Sequence, residues 1–181
     1  MNLDWRSIEQ IEEDNLKAKK QKKVTEKQLE RFLIKHIYLV EDKLKYLEHQ
    51  RETGYGIIDI LCEDENENFV VIELKIGRTS ECVVAQIQRY MVWVEKNFGI
   101  RKGMKPVRGI IIAESFDVRT RIAILGSRFN IELKTIEILS KYNENDNEVK
   151  VKLHSIARIP DDFFRNKHIR DAWEDADVQK D

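Results

Sequence analysis

Apolar positions along the chain fall into short blocks, and their spacing switches between helical and extended periods. "TEKQ" at Thr25–Gln28 carries a capping-box pattern, and Leu29, Phe32, Leu33 and Ile37 follow at helical spacing. Upstream, Leu3, Ile8, Ile11 and Leu16 are spaced more loosely, and the arm ends in "KAKKQKK", read first as a solvated basic helix end or linker, with a phosphate-gripping arm as the alternative. A second short apolar pattern, Ile37–Leu47, leads into "HQRETGYG". Two apolar runs then predict a strand hairpin, Ile57–Cys62 and Phe69–Leu74, entered through Gly54 and Gly56 and joined by the polar turn "EDENEN". Glu81–Lys96 is helical, with Val83, Ile87, Met91 and Val94 on one side and Thr79 or Ser80 as N-cap. Gly109–Ala113, "GIIIA", reads as a strand buried on both faces. Asp117–Ser127 predicts a helix, Ile131–Leu139 a half-exposed strand, and Val149–Ile159 another alternating run. From Pro160 the chain is acidic, with Phe163, Phe164 and Trp173 suited to a short helix that packs back on the body.

This order predicts an α/β fold, a central mixed β-sheet flanked by helices on both faces. The expected divisions are an N-terminal helical arm over 1–24, a core over 25–139, and a C-terminal strand and acidic helical tail over 140–181.

Length and composition narrow the class without naming a function. The 181 residues fit one domain; 41% are hydrophobic, enough for a core, and 36% are charged. A formal charge of −1 means that contact with a polyanion must come from local segregation of charge. Cys62 and Cys82 form no C-x-x-C pair, which argues against a zinc site or a disulfide framework. The polar start "MNLDWRSIEQIEED" lacks a signal core, and no run approaches the roughly 18 apolar residues of a membrane span. The expectation is a soluble, cytoplasmic protein.

The chemistry concentrates in the hairpin. Strand parity puts Phe69, Val71, Glu73 and Lys75 on one face, and Asp59 shares a face with Ile57 and Leu61. Pairing of the hairpin brings Asp59 near Glu73. Two carboxylates in a partly dry site repel one another and lose hydration, so one takes a proton unless a cation lies between them. Mg²⁺ fits that demand, because it binds one or two carboxylates together with phosphate oxygens. Lys75 beside it can steady charge that builds on phosphorus. Taken alone, Glu-Leu-Lys on a strand end reads as a surface ion pair worth about 1 kcal/mol or less. The buried-looking "FVVI" before Glu73, Asp59 at hairpin distance, and a helix bearing Gln86, Arg89, Tyr90 and Trp93 in register favour the site instead. On that helix, Gln86 can hydrogen-bond a metal-bound water or a phosphate, and Arg89 can pair with a phosphate.

Asp59, then "ELK" at Glu73–Lys75, then "QIQRY" at Gln86–Tyr90 resembles the PD-(D/E)xK nuclease superfamily, and within it the nuclease domain of the NucS/EndoMS-type DNA endonucleases. The ordered pieces are Glu26 with Leu29, Arg51-Glu52, Gly56–Asp59, Val70–Lys75, Gln86–Tyr90 and Val107–Ala113, covering roughly Thr25–Ile138. The resemblance implies a restriction-endonuclease-like core. It further implies Mg²⁺ or Mn²⁺ held by Asp59, Glu73 and the backbone carbonyl of Leu74, with Lys75 catalytic and Glu26 and Gln86 in support. Ile58 stands where the superfamily's name has proline, and the stretch before Thr25 is too short for the separate N-terminal domain of those enzymes.

DNA is the expected partner. Candidate contacts are Arg51, Arg78, Arg89, Tyr90, Arg101, Lys102, Lys105, Arg108, Arg119 and Arg121, with Arg128 nearby, forming a cationic rim around an acidic centre. The leading expectation is a metal-dependent DNA endonuclease. Its rivals are a catalytically silent DNA-binding or assembly module on the same fold, and a nuclease for RNA or branched DNA. A homodimer accounts for cutting both strands, with the arms 1–24 and 140–181 as candidate interfaces.

Overall fold

In the computed structural model, described over residues 24–99, 103, 105–139 and 150–156, a six-stranded mixed sheet separates two apolar clusters. The chain begins with helix α1 (Glu26–Lys35) and a 3₁₀ turn (Ile37–Leu39), then strands β1 (Lys45–Thr53), β2 (Gly56–Glu63), β3 (Phe69–Leu74) and the two-residue β4 (Arg78–Thr79). Helix α2 (Cys82–Val94) ends in a π turn (Glu95–Gly99). It is followed by β5 (Val107–Ala113), β6 (Ser115–Phe116), helix α3 (Val118–Leu125), β7 (Ile131–Ile138) and β8 (Val151–Ser155). The sheet order is β1-β2-β3-β5-β7-β8, with β4 and β6 forming a small separate ladder.

The two halves of the sheet follow from their connections. Tight turns join β1, β2 and β3, which run antiparallel. The crossovers through α2 and α3 leave β3, β5 and β7 parallel, as helical connections require. β3 and β5 are central, and all six residues of β3 are buried. Their alternate side chains feed opposite cores. Phe69, Val71 and Ile111 pack with Val83, Ile87 and Met91 of α2, whereas Val70, Ile72, Ile110 and Ile112 pack with Leu29 and Leu33 of α1. Helices therefore cover both faces, as the sequence predicts. At Gly109 an added Cβ would lie 2.9 Å from both Ile87 Cδ1 and Met91 Sδ, so α2 can sit this close only over glycine.

α1 starts as its sequence predicts: Gln28 N–H donates to Thr25 Oγ1 at 3.2 Å, and Thr25 N–H donates to Gln28 Oε1 at 2.8 Å. Three expectations change. β1 is a strand that periodicity does not reveal, because "KYLEHQRET" is polar and has one buried neighbour strand; as an edge it need not alternate. Gly54 consequently lies in the β1–β2 turn, and Gly56 opens β2 opposite Thr53. The residue before α2 is Glu81, which caps without a side-chain hydrogen bond, in place of Thr79 or Ser80. β8 pairs with β7 and forms the far edge of the sheet.

Cys62 is buried, and burial pushes its thiol up to about 12; both cysteines are unbridged. Among the described residues no helix is long and apolar enough to cross a membrane. The arm up to Lys23, Arg101, Lys102 and the tail from residue 157 lie outside the described residues.

Candidate active site

The ladder between β2 and β3 runs from Glu63↔Phe69 to Ile60↔Ile72, and Asp59 and Glu73 are the next residues on each strand. Where regular pairing ends, the Asp59 side chain takes over the backbone: Leu74 N–H donates to Asp59 Oδ2 at 2.8 Å. Lys75 Nζ donates to Glu73 Oε1 at 2.7 Å. Lys75 N–H donates to the Ile112 carbonyl at 2.9 Å, so β5 fixes the backbone that carries the lysine. Glu26, at the start of α1, accepts from Ile76 N–H at 3.1 Å. Asp59, Glu73, Leu74, Lys75 and Glu26 thus meet at the carboxyl end of β3, with α1 contributing from the opposite side of the sheet to α2.

The electrostatics of this cluster are unusual for a folded core. Glu73 is only 1% exposed, and its Oε2 has no hydrogen-bond partner. Burial, reinforced by the charge of Asp59, pushes its carboxyl up to about 7 even though Lys75 opposes the shift. Burial also raises Asp59, against the lowering effect of the Leu74 N–H. Burial alone would lower Lys75, but the bond to Glu73 and the surrounding acids outweigh it, so the ammonium is held above its usual range. A buried carboxylate oxygen without a donor costs about 1–3 kcal/mol or more. The lysine satisfies one oxygen of Glu73 and leaves the other aimed at nothing in the protein.

A divalent cation fits this donor set. It would complete Glu73 Oε2 and relieve the repulsion from Asp59, and two carboxylates are what Mg²⁺ commonly takes from a protein. Among the described residues no three His, Cys, Asp or Glu side chains form a ready-made cage. Any such ion therefore rests on Asp59 and Glu73 with backbone and substrate oxygens.

A second acid accompanies Glu26. Glu30, one turn further along α1, is 6% exposed and accepts from Gln50 Nε2 at 2.6 Å. Gln50 belongs to β1 and has a φ of 50°. Its place beside the site is invisible in sequence, because β1 itself carries no strand signal.

Gln86 and Tyr90 are joined to each other, Gln86 Nε2 donating to Tyr90 Oη at 3.1 Å. Tyr90 is 3% exposed and packs under Gly56, which makes its ring part of the core instead of a surface for DNA. The expected cationic rim also divides. Arg108 Nε donates to Asp64 Oδ2 at 3.0 Å and its Nη1 to Glu41 Oε2 at 3.0 Å, at the opposite end of β5 from the site. Lys105 is paired with Glu67. Both cations are committed to acids of the fold, which corrects the expectation that they are presented to DNA. Arg51 pairs with Glu48 and lies 5.4 Å from the centroid of the Trp93 ring. Arg78 sits in β4, while Arg89 and Arg119 are exposed; Arg121 borders a cavity at the lower end of β7, and Arg128 pairs with Glu95.

With this geometry in view, a family model described as "Endonuclease NucS C-terminal domain" matches residues 25–154. The chain belongs to the NucS C-terminal-domain family. Endonuclease NucS of Pyrococcus horikoshii is 27% identical over 128 residues, 71% of this chain and 47% of the relative. Endonuclease NucS of Methanocaldococcus jannaschii is 28% identical over 130 residues, 72% of this chain and 45% of the relative. This chain thus spans just under half the length of these relatives. A repair endonuclease from Pyrococcus abyssi shares the fold with a TM-score of 0.52 at 21% identity, over 61% of this chain and 46% of that one. The structure of an EndoMS–dsDNA complex gives a TM-score of 0.52 at 22% identity, over 62% of this chain and 46% of that one. The hairpin acids Asp59 and Glu73 fall within the matched segment.

Proposed function

We propose that this protein is a metal-dependent DNA endonuclease that hydrolyses phosphodiester bonds at Asp59, Glu73 and Lys75. The observation that carries this reading is the buried Glu73 Oε2, without a partner and beside a second carboxylate, in a chain of the NucS nuclease-domain family. The naming of its relatives as endonuclease NucS, and a fold neighbour solved with double-stranded DNA, support DNA as the substrate class.

In this reading Asp59, Glu73 and the Leu74 carbonyl hold Mg²⁺ or Mn²⁺. When bound, the ion supplies positive charge at the scissile phosphate and makes a coordinated water more acidic. The Leu74 N–H fixes the Asp59 carboxylate, so its oxygens need no reorganisation as substrate arrives. The Glu73 bond and the surrounding acids hold the Lys75 ammonium above its usual range; one of its N–H donors goes to Glu73, which leaves two for the attacking water and for charge on phosphorus. Glu26 braces the segment after β3 through Ile76 N–H and adds negative charge beside the two acids. Gln86 supports the site from α2.

The test is an incubation of the full chain with plasmid, single-stranded, mismatched and branched DNA and with RNA, in Mg²⁺, Mn²⁺ or EDTA. Cleavage of DNA that needs the metal and disappears in Glu73→Ala is the expected result. A protein that binds DNA and cuts none of these substrates is a binding module, and the enzyme reading fails. Sedimentation of the same sample with and without DNA tests the homodimer that double-strand cutting asks for.

A further inference from the structure

Strands of a sheet stand about 4.8 Å apart and a helix with its side chains is about 10–12 Å across, so one helix covers only part of a six-stranded face. Among the described residues, α1 and the 3₁₀ turn are the helical cover on one side of the sheet, and α1 lies over β2. Yet Ile110 and Ile112 of β5, two strands beyond β2, are 0% exposed, and Ile136 of β7, a further strand on, is 2% exposed. All three belong to the cluster on the α1 side. Lys134 shares that face of β7 by alternation and is 7% exposed, its Nζ 3.1 Å from Glu132 Oε1 and donating to Ser155 Oγ at 3.3 Å. Ile138, Val151 and Leu153 extend the apolar surface to β8. This burial needs a second element beside α1, over β5, β7 and β8.

Three long stretches of the sequence are available to supply it. The loop 140–149, "SKYNENDNEV", is polar and offers Tyr142 and Val149 alone. The tail departs from Ile156, which packs into the cluster on the opposite face of the sheet. The N-terminal arm instead joins at Val24, which is 6% exposed and belongs to the α1-side cluster. In the arm, Trp5, Ile8 and Ile11 recur every three residues and Leu16 follows, on one side of a helix whose other side carries Arg6, Gln10, Glu13 and Lys17. Residues 5–16 measure about 18 Å as a helix, enough to cross three strands. The family match begins at residue 25, so this stripe lies outside the nuclease-domain pattern.

We propose that residues 5–16 dock as an amphipathic helix on the β5–β7–β8 half of the sheet and thereby hold the lysine run of residues 17–23 at the catalytic edge, as a phosphate contact for DNA. The link is short: two residues separate Lys23 from Glu26, whose carboxylate accepts from Ile76 N–H at the site. Five lysines in that run offset the negative charge of Glu26, Asp59 and Glu73, which a polyanion has to approach. The phosphate contact rests on the DNA-endonuclease reading; the docked helix stands without it.

The test starts with thermal melts of the full chain. Ile11→Asp should lower the midpoint by about 5 °C or more, whereas Gln10→Asp, its neighbour on the polar side, should leave it within about 1 °C. Ile8→Ala with Ile11→Ala, milder changes, are then cycled against Ile136→Ala, and together they should cost about 2 °C or more less than the sum. Equal responses at positions 10 and 11, or strict additivity in the cycle, overturn the proposal. Coupling of Phe164→Ala to Ile136→Ala in place of the arm overturns it by giving the face to the tail. A dimer in sedimentation that Ile11→Asp dissociates overturns it by giving the face to the arm of a second copy. Lys19→Gln, Lys20→Gln and Lys22→Gln together should lower the salt slope of duplex binding in EDTA by about 2 and leave the midpoint in place; an unchanged slope overturns the phosphate contact. Wild-type cleavage in Mg²⁺ or Mn²⁺ is scored separately. An arm that responds as expected in a chain that cuts nothing leaves the docked helix standing and removes the nuclease, and cleavage with no response in the arm does the reverse.

Discussion

Leu74 gives its main-chain N–H to the Asp59 carboxylate at 2.8 Å, so the first acid of the site is clamped to the residue between the second acid and the lysine. The clamp makes Asp59→Asn an informative substitution, because an amide oxygen can accept the same bond while the charge is lost. Cleavage should fall by about 10²-fold or more, and the thermal midpoint should hold or rise, since a partly buried charge that repels Glu73 has gone. Plasmid-nicking rates and a thermal melt on the same preparation check this. A loss of activity that merely tracks a loss of fold would assign Asp59 to structure.

The proton affinity of Glu73 yields a pH signature. The folded chain holds this proton more tightly than the unfolded chain, with a value of about 7 against the ordinary 4.5. Its stabilising effect is therefore complete below the lower value and is lost as pH rises through the upper one, a span of about 3 kcal/mol. Without metal, the melting temperature should fall between about pH 5 and pH 8, and Glu73→Gln should flatten the fall. Mg²⁺ or Mn²⁺ should restore the wild type at the alkaline end by replacing the proton, and should do little for Glu73→Gln. At limiting metal, cleavage should rise with pH through about 7, and the rise should move to lower pH as metal is added.

Much of this site was legible in sequence because it rests on strand parity. Asp59 and Glu73 lie on strands whose apolar runs are unmistakable, with Lys75 just past the end of β3, and register brings them together once the hairpin is granted. The helices on both faces were legible for the same reason: their apolar stripes are long and regular. Glu30 reads from helical spacing as an inward-reaching acid one turn after Glu26, but its partner Gln50 was not legible, because β1 is an edge strand of polar residues and the left-handed backbone of Gln50 has no sequence mark in a residue other than glycine. The basic rim misled in part. Sequence counts cations, but it cannot tell that Glu41 and Asp64, 67 and 44 residues away from Arg108, come to meet it.

Arg108 should accordingly behave as a structural residue. Its side chain is 18% exposed, and its loss leaves Asp64 and Glu41 without their shared cation. Arg108→Ala should cost about 1–3 kcal/mol of stability. The salt dependence of DNA binding should not change, whereas removal of a true phosphate contact lowers that slope by about 1 on a duplex. Denaturant melts together with anisotropy at several salt concentrations separate the two. A reduced slope without destabilisation would return Arg108 to the DNA surface.

Gly56 and Tyr90 supply a test of how the hairpin turn supports the site from behind. A Cβ on Gly56 would stand 2.5 Å from Tyr90 Oη and 3.2 Å from two ring carbons, and the glycine has a φ of 131° that other residues rarely adopt. Gly56→Ala should therefore destabilise the fold by about 1–3 kcal/mol through overpacking and backbone strain together. Tyr90→Phe removes the atom of closest conflict and also the partner of Gln86. Combined with Gly56→Ala, it should be less damaging than the sum of the single changes, by about 0.5 kcal/mol or more. Part of the penalty should remain, because the ring carbons and the positive φ are untouched. Strict additivity in a double-mutant cycle would mean that turn and helix do not bear on one another, and that Gln86 is held by something other than this tyrosine.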